Sequence, residues 1–320
     1  MKTWKKFSHI DARTVEEASS VLRSGKAALI SGGTDLLGIM RFEILPTHPE
    51  VVVNLKSIPG MDYVKEENGM LRIGALTRLE DIAKNELVRS RYTALAEAAH
   101  RTATPHIREM GTIGGNICQL NRCWYFRNPD NRFNCFRKGG QECYAWGGDN
   151  RYHSIFGPVK LCIAVNPSDT APALVALNAR IRTNRRTIQA EQFWEMTVPG
   201  STVLAVDEIV TEIQIPTPAA GTRSAFNKFA IRKSIDFPIV NCAVMVGESD
   251  ARICLNAVFN KPYRAEKAEG FIKGKRITES TADAAGAEAV AAASVLPGDR
   301  NKWKIPIAKT MVKRALLACA

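Results

Sequence analysis

Residues 31–36 read SGGTDL and directly follow the short apolar run AALI at residues 27–30. The apolar run predicts a β-strand, and the two adjacent glycines let the backbone after it curl until successive N–H groups converge. Such a nest of N–H groups binds a diphosphate without a positive side chain, and the hydroxyl of Thr34 can add a hydrogen bond. Taken alone, the loop is also typical of a plain turn between a strand and a helix.

A second glycine pair lies in residues 111–117, which read GTIGGNI. We expect these residues to form a loop of the same kind, because they too lie among alternating strand and helix patterns. Neither loop has the Gly-x-Gly-x-x-Gly spacing of the Rossmann dinucleotide motif, so the sequence does not indicate that fold. Two such loops in one chain favour a nucleotide site more than either loop does alone.

The composition is that of an ordinary globular protein, with 45% hydrophobic and 24% charged residues among 320. The net charge of +12 comes from Lys and Arg spread over the whole chain, and we find no nucleic-acid-binding motif, so we expect no nucleic-acid partner. We find no apolar run long enough to span a membrane and no apolar core of a signal peptide. We therefore expect a cytoplasmic chain, with export alongside a partner subunit left open.

Five of the eight cysteines fall in residues 118–162, a segment without a helical or strand period. A loop of this length inside a compact domain needs something to hold it together. Four thiolates can hold a [4Fe–4S] cluster, and metal binding offsets the entropy lost when the loop is ordered. The candidate ligands are Cys123, Cys135, Cys143 and Cys162.

Several alternatives to this ligand set stay open. Cys118 is the main rival for the fourth position, and His153 is a weaker one. Four cysteines also suit a structural zinc ion, although the four candidates form none of the tight Cys-x₂₋₄-Cys pairs usual in such sites. The thiols could also be unligated in a disordered loop. The remaining cysteines, Cys242, Cys254 and Cys319, lie in apolar contexts typical of a core.

The glycine segments belong to a longer series that resembles the FAD-binding (medium) subunit of the xanthine dehydrogenase family of molybdenum hydroxylases. The series comprises residues 31–36, 111–117, 166–169 (NPSD), 228–233 (KFAIRK) and 260–265 (NKPYRA). The resemblance implies an α+β fold. Its FAD-binding domain, of the vanillyl-alcohol-oxidase or PCMH type, would cover residues 1–220. A smaller α/β C-terminal domain like that of CO dehydrogenase flavoproteins would cover residues 221–320. The first domain would divide into residues 1–57 and 58–220, with the cysteine insertion at about 119–162.

The resemblance also implies where FAD would bind. Asp169 would hydrogen-bond flavin or ribityl atoms, and Lys228 would lie near the isoalloxazine ring, unless it is an ordinary solvated lysine of a strand. The glycine segments would hold the rest of the dinucleotide. The full set of implied FAD residues is Leu29, Ile30, Ser31, Gly32, Gly33, Thr34, Asp35, Leu36, Thr112, Gly114, Gly115, Asn116, Asp169 and Lys228.

The cysteine insertion is similar to those of the 4-hydroxybenzoyl-CoA reductase β subunit and of periplasmic-type aldehyde oxidoreductase FAD subunits. We find no Ser-His-Asp set, paired catalytic carboxylates or His-Glu-x-x-His motif, so we expect no catalytic side chain in this chain. The resemblance implies electron transfer within a complex. A large subunit would carry molybdopterin, a small subunit would carry [2Fe–2S] clusters, and the external carrier would be ferredoxin or similar.

The substrate is left open among aromatic, aromatic-CoA and aldehyde compounds. A FAD subunit of an NAD-linked xanthine or purine dehydrogenase is a further alternative, although those chains usually lack the insertion. A nucleic-acid-binding or structural zinc protein is the alternative from another class.

Overall fold

The computed structural model describes residues 4–232 and 235–320, whose strands form three sheets. The strands are β1 (Ser8–Asp11), β2 (Ala27–Ile30), β3 (Val51–Asn54), β4 (Val64–Glu67), β5 (Met70–Gly74), β6 (Arg180–Thr183), β7 (Thr187–Gln189), β8 (Val210–Pro216), β9 (Arg223–Phe229), β10 (Val240–Val246), β11 (Ala251–Asn256) and β12 (Tyr263–Arg264). The helices are α1 (Val15–Leu22), α2 (Leu36–Arg41), α3 (Leu79–Lys84), α4 (Glu86–Arg91), α5 (Thr93–His100), α6 (Pro105–Met110), α7 (Ile113–Cys118), α8 (Thr170–Ala176), α9 (Ala190–Phe193), α10 (Glu266–Ile272), α11 (Glu279–Ala289) and α12 (Lys304–Leu317). Lys233, in the segment 228–233, lies outside the described residues.

The first sheet is a small parallel sheet in the order β1-β3-β2, and α1 crosses from β1 to β2. The helix α1 begins after Thr14, whose hydroxyl accepts a hydrogen bond from the backbone N–H of Glu17 at 3.1 Å. Beyond it lies Gly25, whose positive φ of 71° turns the chain back toward the sheet. The crossover leaves the loop after β2 at the carboxyl end of a parallel strand, where α/β sheets bind their ligands.

The second sheet is antiparallel, in the order β4-β5-β8-β6-β7, and it joins strands that are far apart in the sequence. Leu71 of β5 lies opposite Ile215 of β8, and Ile73 lies opposite Ile213. All four side chains are fully buried, and they belong to a core that also includes residues of helices α3, α5 and α8. This core positions α7 and the start of α8 beside the first sheet.

The third sheet, β12-β11-β10-β9, is antiparallel and packs against α10 and α12, and α11 packs against these two helices. The helices α11 and α12 approach each other closely at Gly286, where a Cβ would lie 2.6 Å from the backbone oxygen of Lys309. Cys242, Cys254 and Cys319 are buried in apolar surroundings, as the sequence predicts. Residue 220 lies in the link between β8 and β9.

The segment 119–162 contains no α-helix or β-strand, only two short 3₁₀ turns, Pro129–Asn131 and Phe136–Lys138. Buried cations hold its backbone in place. Lys138 Nζ donates to the carbonyl oxygens of Ile44 and Phe126, at 3.1 and 3.3 Å. Lys304 Nζ, in the first turn of α12, donates to the carbonyls of Tyr152 and His153. Both domains therefore anchor the insertion.

One expectation from the sequence needs correction, and one alternative is excluded. Residues 113–118 form the helix α7 rather than a loop, because the Thr112 hydroxyl caps the helix by accepting from the N–H of Gly115 at 3.1 Å. The second glycine segment is therefore a capped helix start and not a second nest. Lys228 is not a solvated lysine, since its side chain is only 3% exposed. Among the described helices, none is long and apolar enough to cross a membrane.

Candidate functional site

The glycine loop after β2 forms one wall of a cavity of about 510 Å³, the candidate flavin cavity. This volume is within the range of roughly 300–1,000 Å³ usual for cofactor sites. Gly33 adopts a φ of +71°, and a Cβ at Gly32 would overlap the backbone carbonyl of Met110. Glycine at position 32 therefore lets the loop approach the opposite wall closely. The cavity is lined by all of the implied FAD residues except Gly114 and Lys228, namely Leu29, Ile30, Ser31, Gly32, Gly33, Thr34, Asp35, Leu36, Thr112, Gly115, Asn116 and Asp169.

The opposite wall is the start of α7. Ser31 Oγ and Thr112 Oγ1 lie 3.0 Å apart and join the two walls at the floor of the cavity. A Cβ at Gly115 would lie 3.2 Å from each of these hydroxyl oxygens, so only a glycine leaves this contact undisturbed. Gly114 packs away from the cavity, against the backbone of Ala75. The second glycine segment thus serves close packing as well as the cavity wall.

Asp169 lies at the end of the cavity, directly before α8. Its Oδ2 lies 2.7 Å from Nζ of Lys228, and its Oδ1 accepts from Nδ2 of Asn241 at 2.8 Å. Lys228 also donates to the carbonyl of Arg101 at 3.0 Å. Complete burial raises the pKa of the Asp169 carboxyl, and the lysine and amide donors counter that effect. Lys228 therefore does not line the cavity itself, but it contacts Asp169, which does.

Asn116 lines the cavity but is engaged in holding the backbone around Asp169. Its Oδ1 accepts hydrogen bonds from the hydroxyls of Ser168 and Thr170, at 2.5 and 2.7 Å. These two hydroxyls flank Asp169 in the sequence. The amide therefore ties α7 to the turn that carries Asp169.

Asp35, at the end of the glycine loop, faces the cysteine insertion. Its Oδ1 lies 2.8 Å from Nη2 of Arg122 and 2.8 Å from Nη1 of Arg127, and its Oδ2 accepts from the N–H of Leu120 at 3.1 Å. Burial works to raise the pKa of Asp35, but the two guanidinium groups and the N–H outweigh it and hold that pKa below its ordinary value. The carboxylate is therefore charged and neutralised from the insertion side.

The four predicted cluster ligands, Cys123, Cys135, Cys143 and Cys162, line one small internal cavity. His153 lines the same cavity, and its Nε2 lies 3.2 Å from Sγ of Cys123. Cys118 does not line it, because it lies at the end of α7 in the wall of the flavin cavity. Across residues 4–232 and 235–320, no group of three or more His, Cys, Asp or Glu side chains is arranged to hold a metal ion.

Polar groups lie close to the sulfur atoms of this cavity. Backbone N–H groups near three of the cysteines work to lower the pKa of their thiols, against the effect of burial. They belong to Tyr125 and Phe126 near Cys123, to Arg137 and Lys138 near Cys135, and to Ala145 and Ile163 near Cys143. Arg137 Nη1 lies 3.4 Å from Sγ of Cys162 and is itself buried. Burial raises the pKa of the Cys123 thiol to about 12, so a thiolate at that position requires a bound metal to stabilise it.

A third cavity, of about 440 Å³, lies between the flavin cavity and the cysteine cavity. It shares Arg122 and Phe237 with the flavin cavity, and Cys123 and His153 with the cysteine cavity. The guanidinium of Arg122 stacks over the ring of Phe237 at 4.5 Å. The two predicted cofactor sites are therefore neighbours.

Sequence reasoning missed part of the flavin cavity. Thr102 and Ala103, between α5 and α6, line it together with Ile235, Asp236 and Phe237. Nothing in residues 102–103 distinguishes them from an ordinary helix end. Their only local peculiarity, the positive φ of 48° at Ala103, is conformational. The segment 235–237 follows directly after the family-like segment 228–233, which is the one signal that pointed to it.

The fold and the cavity together define a FAD-binding protein with an added flavoprotein-type C-terminal domain. Residues 5–218 match the family model described as the FAD binding domain in molybdopterin dehydrogenase. Residues 224–319 match the CO dehydrogenase flavoprotein C-terminal domain. The chain therefore belongs to the FAD-binding medium subunits of the molybdenum hydroxylase family, and it is an oxidoreductase subunit.

Similar proteins cover nearly the whole chain. The aldehyde oxidoreductase FAD-binding subunit PaoB of Escherichia coli is 32% identical over 98% of both chains. The nicotinate dehydrogenase FAD-subunit of Eubacterium barkeri is 28% identical over 88% of this chain and 84% of its own. Among solved structures, a chain of the carbon monoxide dehydrogenase of Hydrogenophaga pseudoflava superposes with a TM-score of 0.76 at 27% identity. That superposition covers 99% of this chain and 98% of the other.

Proposed function

We propose that this chain relays electrons in a molybdenum-cofactor oxidoreductase complex through bound FAD and a [4Fe–4S] cluster. The relay would run between an external carrier, ferredoxin or similar, and partner subunits that hold [2Fe–2S] clusters and the molybdenum cofactor. One observation carries the proposal. Four cysteines surround a single cavity, and an intervening cavity that shares Arg122 and Cys123 links it to the flavin cavity.

The flavin cavity fits a dinucleotide in its backbone shape. The positive φ of Gly33 and the close approach at Gly32 leave the backbone of residues 31–35 facing the cavity without side-chain bulk, which suits a diphosphate. Ser31 and Thr112 supply hydroxyls between the two walls. When bound, FAD would supply a redox centre that can exchange electrons singly or in pairs. The protein side chains orient it and exclude water from it.

Asp169 and Lys228 would serve the flavin as a unit. Lys228 holds the carboxylate of Asp169, and Asp169 is the member of the pair that lines the cavity. We propose that Asp169 accepts a hydrogen bond from the bound cofactor while Lys228 keeps the carboxylate fixed and charged.

The chemistry of the donor set fits an iron–sulfur cluster better than a zinc ion. Arg137 donates to Sγ of Cys162, and hydrogen bonds to sulfur of this kind tune the clusters that cysteines hold. None of the four cysteines of this cavity forms a tight Cys-x₂₋₄-Cys pair of the kind usual in structural zinc sites.

We propose that the substrate binds on a molybdenum subunit and is an aldehyde. The supporting observation is the 32% identity with the Escherichia coli subunit, whose name specifies an aldehyde oxidoreductase. The likeness to the nicotinate dehydrogenase subunit makes an aromatic heterocycle the second candidate. An acidic carrier such as ferredoxin would suit the net charge of +12.

The test is anaerobic purification of the chain together with the subunits that bind it. We expect flavin absorption, iron–sulfur absorption, about four irons per chain and reduction of the flavin by aldehydes. A colourless chain that contains zinc would overturn the relay. A coloured complex that is reduced by nicotinate and not by aldehydes would overturn the substrate alone. Reduction of NAD in place of ferredoxin would favour an NAD-linked dehydrogenase.

A further inference from the structure

Asp35 belongs to the glycine loop, yet every partner of its carboxylate lies in the cysteine insertion. The partners are Arg122, Arg127 and the N–H of Leu120, at 2.8, 2.8 and 3.1 Å. The carboxylate does not cap α2, which begins at the next residue. Arg122 directly precedes the proposed cluster ligand Cys123. One charged group therefore joins the FAD loop to the segment that would carry the cluster.

The helix that follows Asp35 is also the platform on which the insertion is built. Ile39 and Ile44 form one buried cluster with Phe126 and Cys135 of the insertion. Lys138 donates to the carbonyls of Ile44 and Phe126. The glycine loop, α2 and the insertion thus form one continuous packed unit, in which a shift of one part is transmitted to the others.

The charges at this junction have a consequence for a bound dinucleotide. A diphosphate held by the glycine loop would be repelled by a carboxylate at position 35, because like charges at short range disfavour each other. Arg122 and Arg127 neutralise that carboxylate only while the insertion is in place. Loss of the insertion's order would leave a negative charge beside the diphosphate and would free the loop.

We infer that Asp35 is a positioning residue that couples the two cofactor sites, so that cluster assembly strengthens FAD binding and bound FAD strengthens cluster retention. The inference rests on the proposed function, because it requires the cluster. Coupling of this kind is reciprocal, since the same factor must relate both affinities. Asp35 itself needs no contact with either cofactor.

The test uses the full chain in two states, with its iron–sulfur cluster and after anaerobic removal of iron by a chelator. The Kd for FAD is measured in each state by the quenching of flavin fluorescence. We expect tighter binding in the cluster-loaded state by a factor of about 5 to 150, the usual range of coupling between sites. This comparison needs no mutation, so a misfolded variant cannot obscure it.

The substitution Asp35→Asn tests whether the coupling between the two cofactor sites depends on this residue. The variant keeps an oxygen for the N–H of Leu120 but loses the charge that holds both arginines. The ratio of the two Kd values should fall toward 1, and iron should leave the chelator-treated variant at the same rate with and without FAD. Asp207→Asn is the matched control, because Asp207 also pairs with two arginines, Arg23 and Arg185, and lines neither cavity. Its ratio should equal that of the native chain.

Equal Kd values for FAD in the loaded and iron-free states of the native chain would overturn the inference while leaving the relay intact. A ratio that persists in Asp35→Asn would overturn the role of this residue. A native chain that holds flavin but never any iron would instead refute the proposed cluster, and the inference with it. The three results differ in iron content and in the ratio of the two Kd values, so they cannot be confused.

Discussion

Nζ of Lys228, in β9, lies 2.7 Å from Oδ2 of Asp169, and both side chains are 3% exposed. The ion pair joins the third sheet to the start of α8 and places its carboxylate at the flavin cavity. Removal of one partner from a buried pair leaves the other charge without compensation, which costs about 3–5 kcal/mol. The geometry of this one contact therefore bears on both stability and cofactor binding.

We expect Lys228→Met to lower the free energy of unfolding by about 3–5 kcal/mol, because Asp169 would keep only the hydrogen bond from Asn241. Urea denaturation followed by circular dichroism measures the change. The control is Lys26→Met. Lys26 pairs with Glu50 at 2.9 Å, but both side chains are 64% exposed, so the loss should stay below about 1 kcal/mol. Equal losses in the two variants would contradict the importance of the buried pair.

Gly32→Ala should abolish FAD binding, because the new Cβ would overlap the carbonyl of Met110 and push the loop away from the opposite wall. Flavin content after purification in the presence of excess FAD measures the effect. Gly38→Ala is the control. Gly38 lies in α2 with open space around its Cβ position, and alanine in a helix should add about 0.5–1 kcal/mol of stability. Full flavin occupancy in Gly32→Ala would show that the loop does not hold the cofactor.

Cys143→Ser should lose the cluster, since serine replaces one of the four sulfur ligands. The iron content would then fall from about four atoms per chain toward zero, while FAD would still bind at saturating concentration. Cys118→Ala resolves the rival assignment, because Cys118 lies outside the cysteine cavity and its loss should leave the iron content unchanged. If Cys118→Ala loses iron and Cys162→Ser retains it, then Cys118 and not Cys162 is the fourth cluster ligand.

Stability should fall at acid pH in part through Glu208. Burial opposes its ionisation, but Arg186, the N–H of Ala205 and the hydroxyl of Thr183 outweigh this and lower the pKa of Glu208 from 4.5 to about 2. The unfolded chain binds the proton more readily, so the stabilisation is complete above pH 4.5 and is lost as the pH falls toward 2. The contribution should be smaller than the about 3 kcal/mol of the full shift, because Arg186 is 52% exposed and solvent screens its charge.

The measurement for Glu208 compares urea midpoints of the native chain and of Glu208→Gln between pH 7 and pH 2.5. The variant should be clearly less stable at pH 7, and the two midpoints should converge as the pH falls. Arg186→Gln should show part of the same behaviour, because it removes the positive group nearest to the carboxylate. A difference in midpoint that stays constant with pH would contradict the assignment.

The parts of the fold that the sequence predicted are those with strong local signals. The strand β2 is marked by an apolar run before two glycines. Helix α1 carries signals of the same local kind, a capping threonine and apolar residues at helical spacing. The strand β1 escaped prediction because Ser8–Asp11 is mostly exposed and becomes a strand only by pairing with β3. Helix α6 was missed because it is a single short segment with one buried residue, Arg108.

The sequence by itself determined the chemical types at the site: a glycine loop after a strand, and four cysteines in a segment that could not hold itself together. Tertiary structure alone decided that Asp35 faces two arginines of the insertion and that Lys228 is buried against Asp169. The physical reason is the range of the interactions. Backbone conformation at a glycine pair follows from adjacent residues, whereas a buried ion pair exists only after the chain has brought distant segments together and removed water from between them.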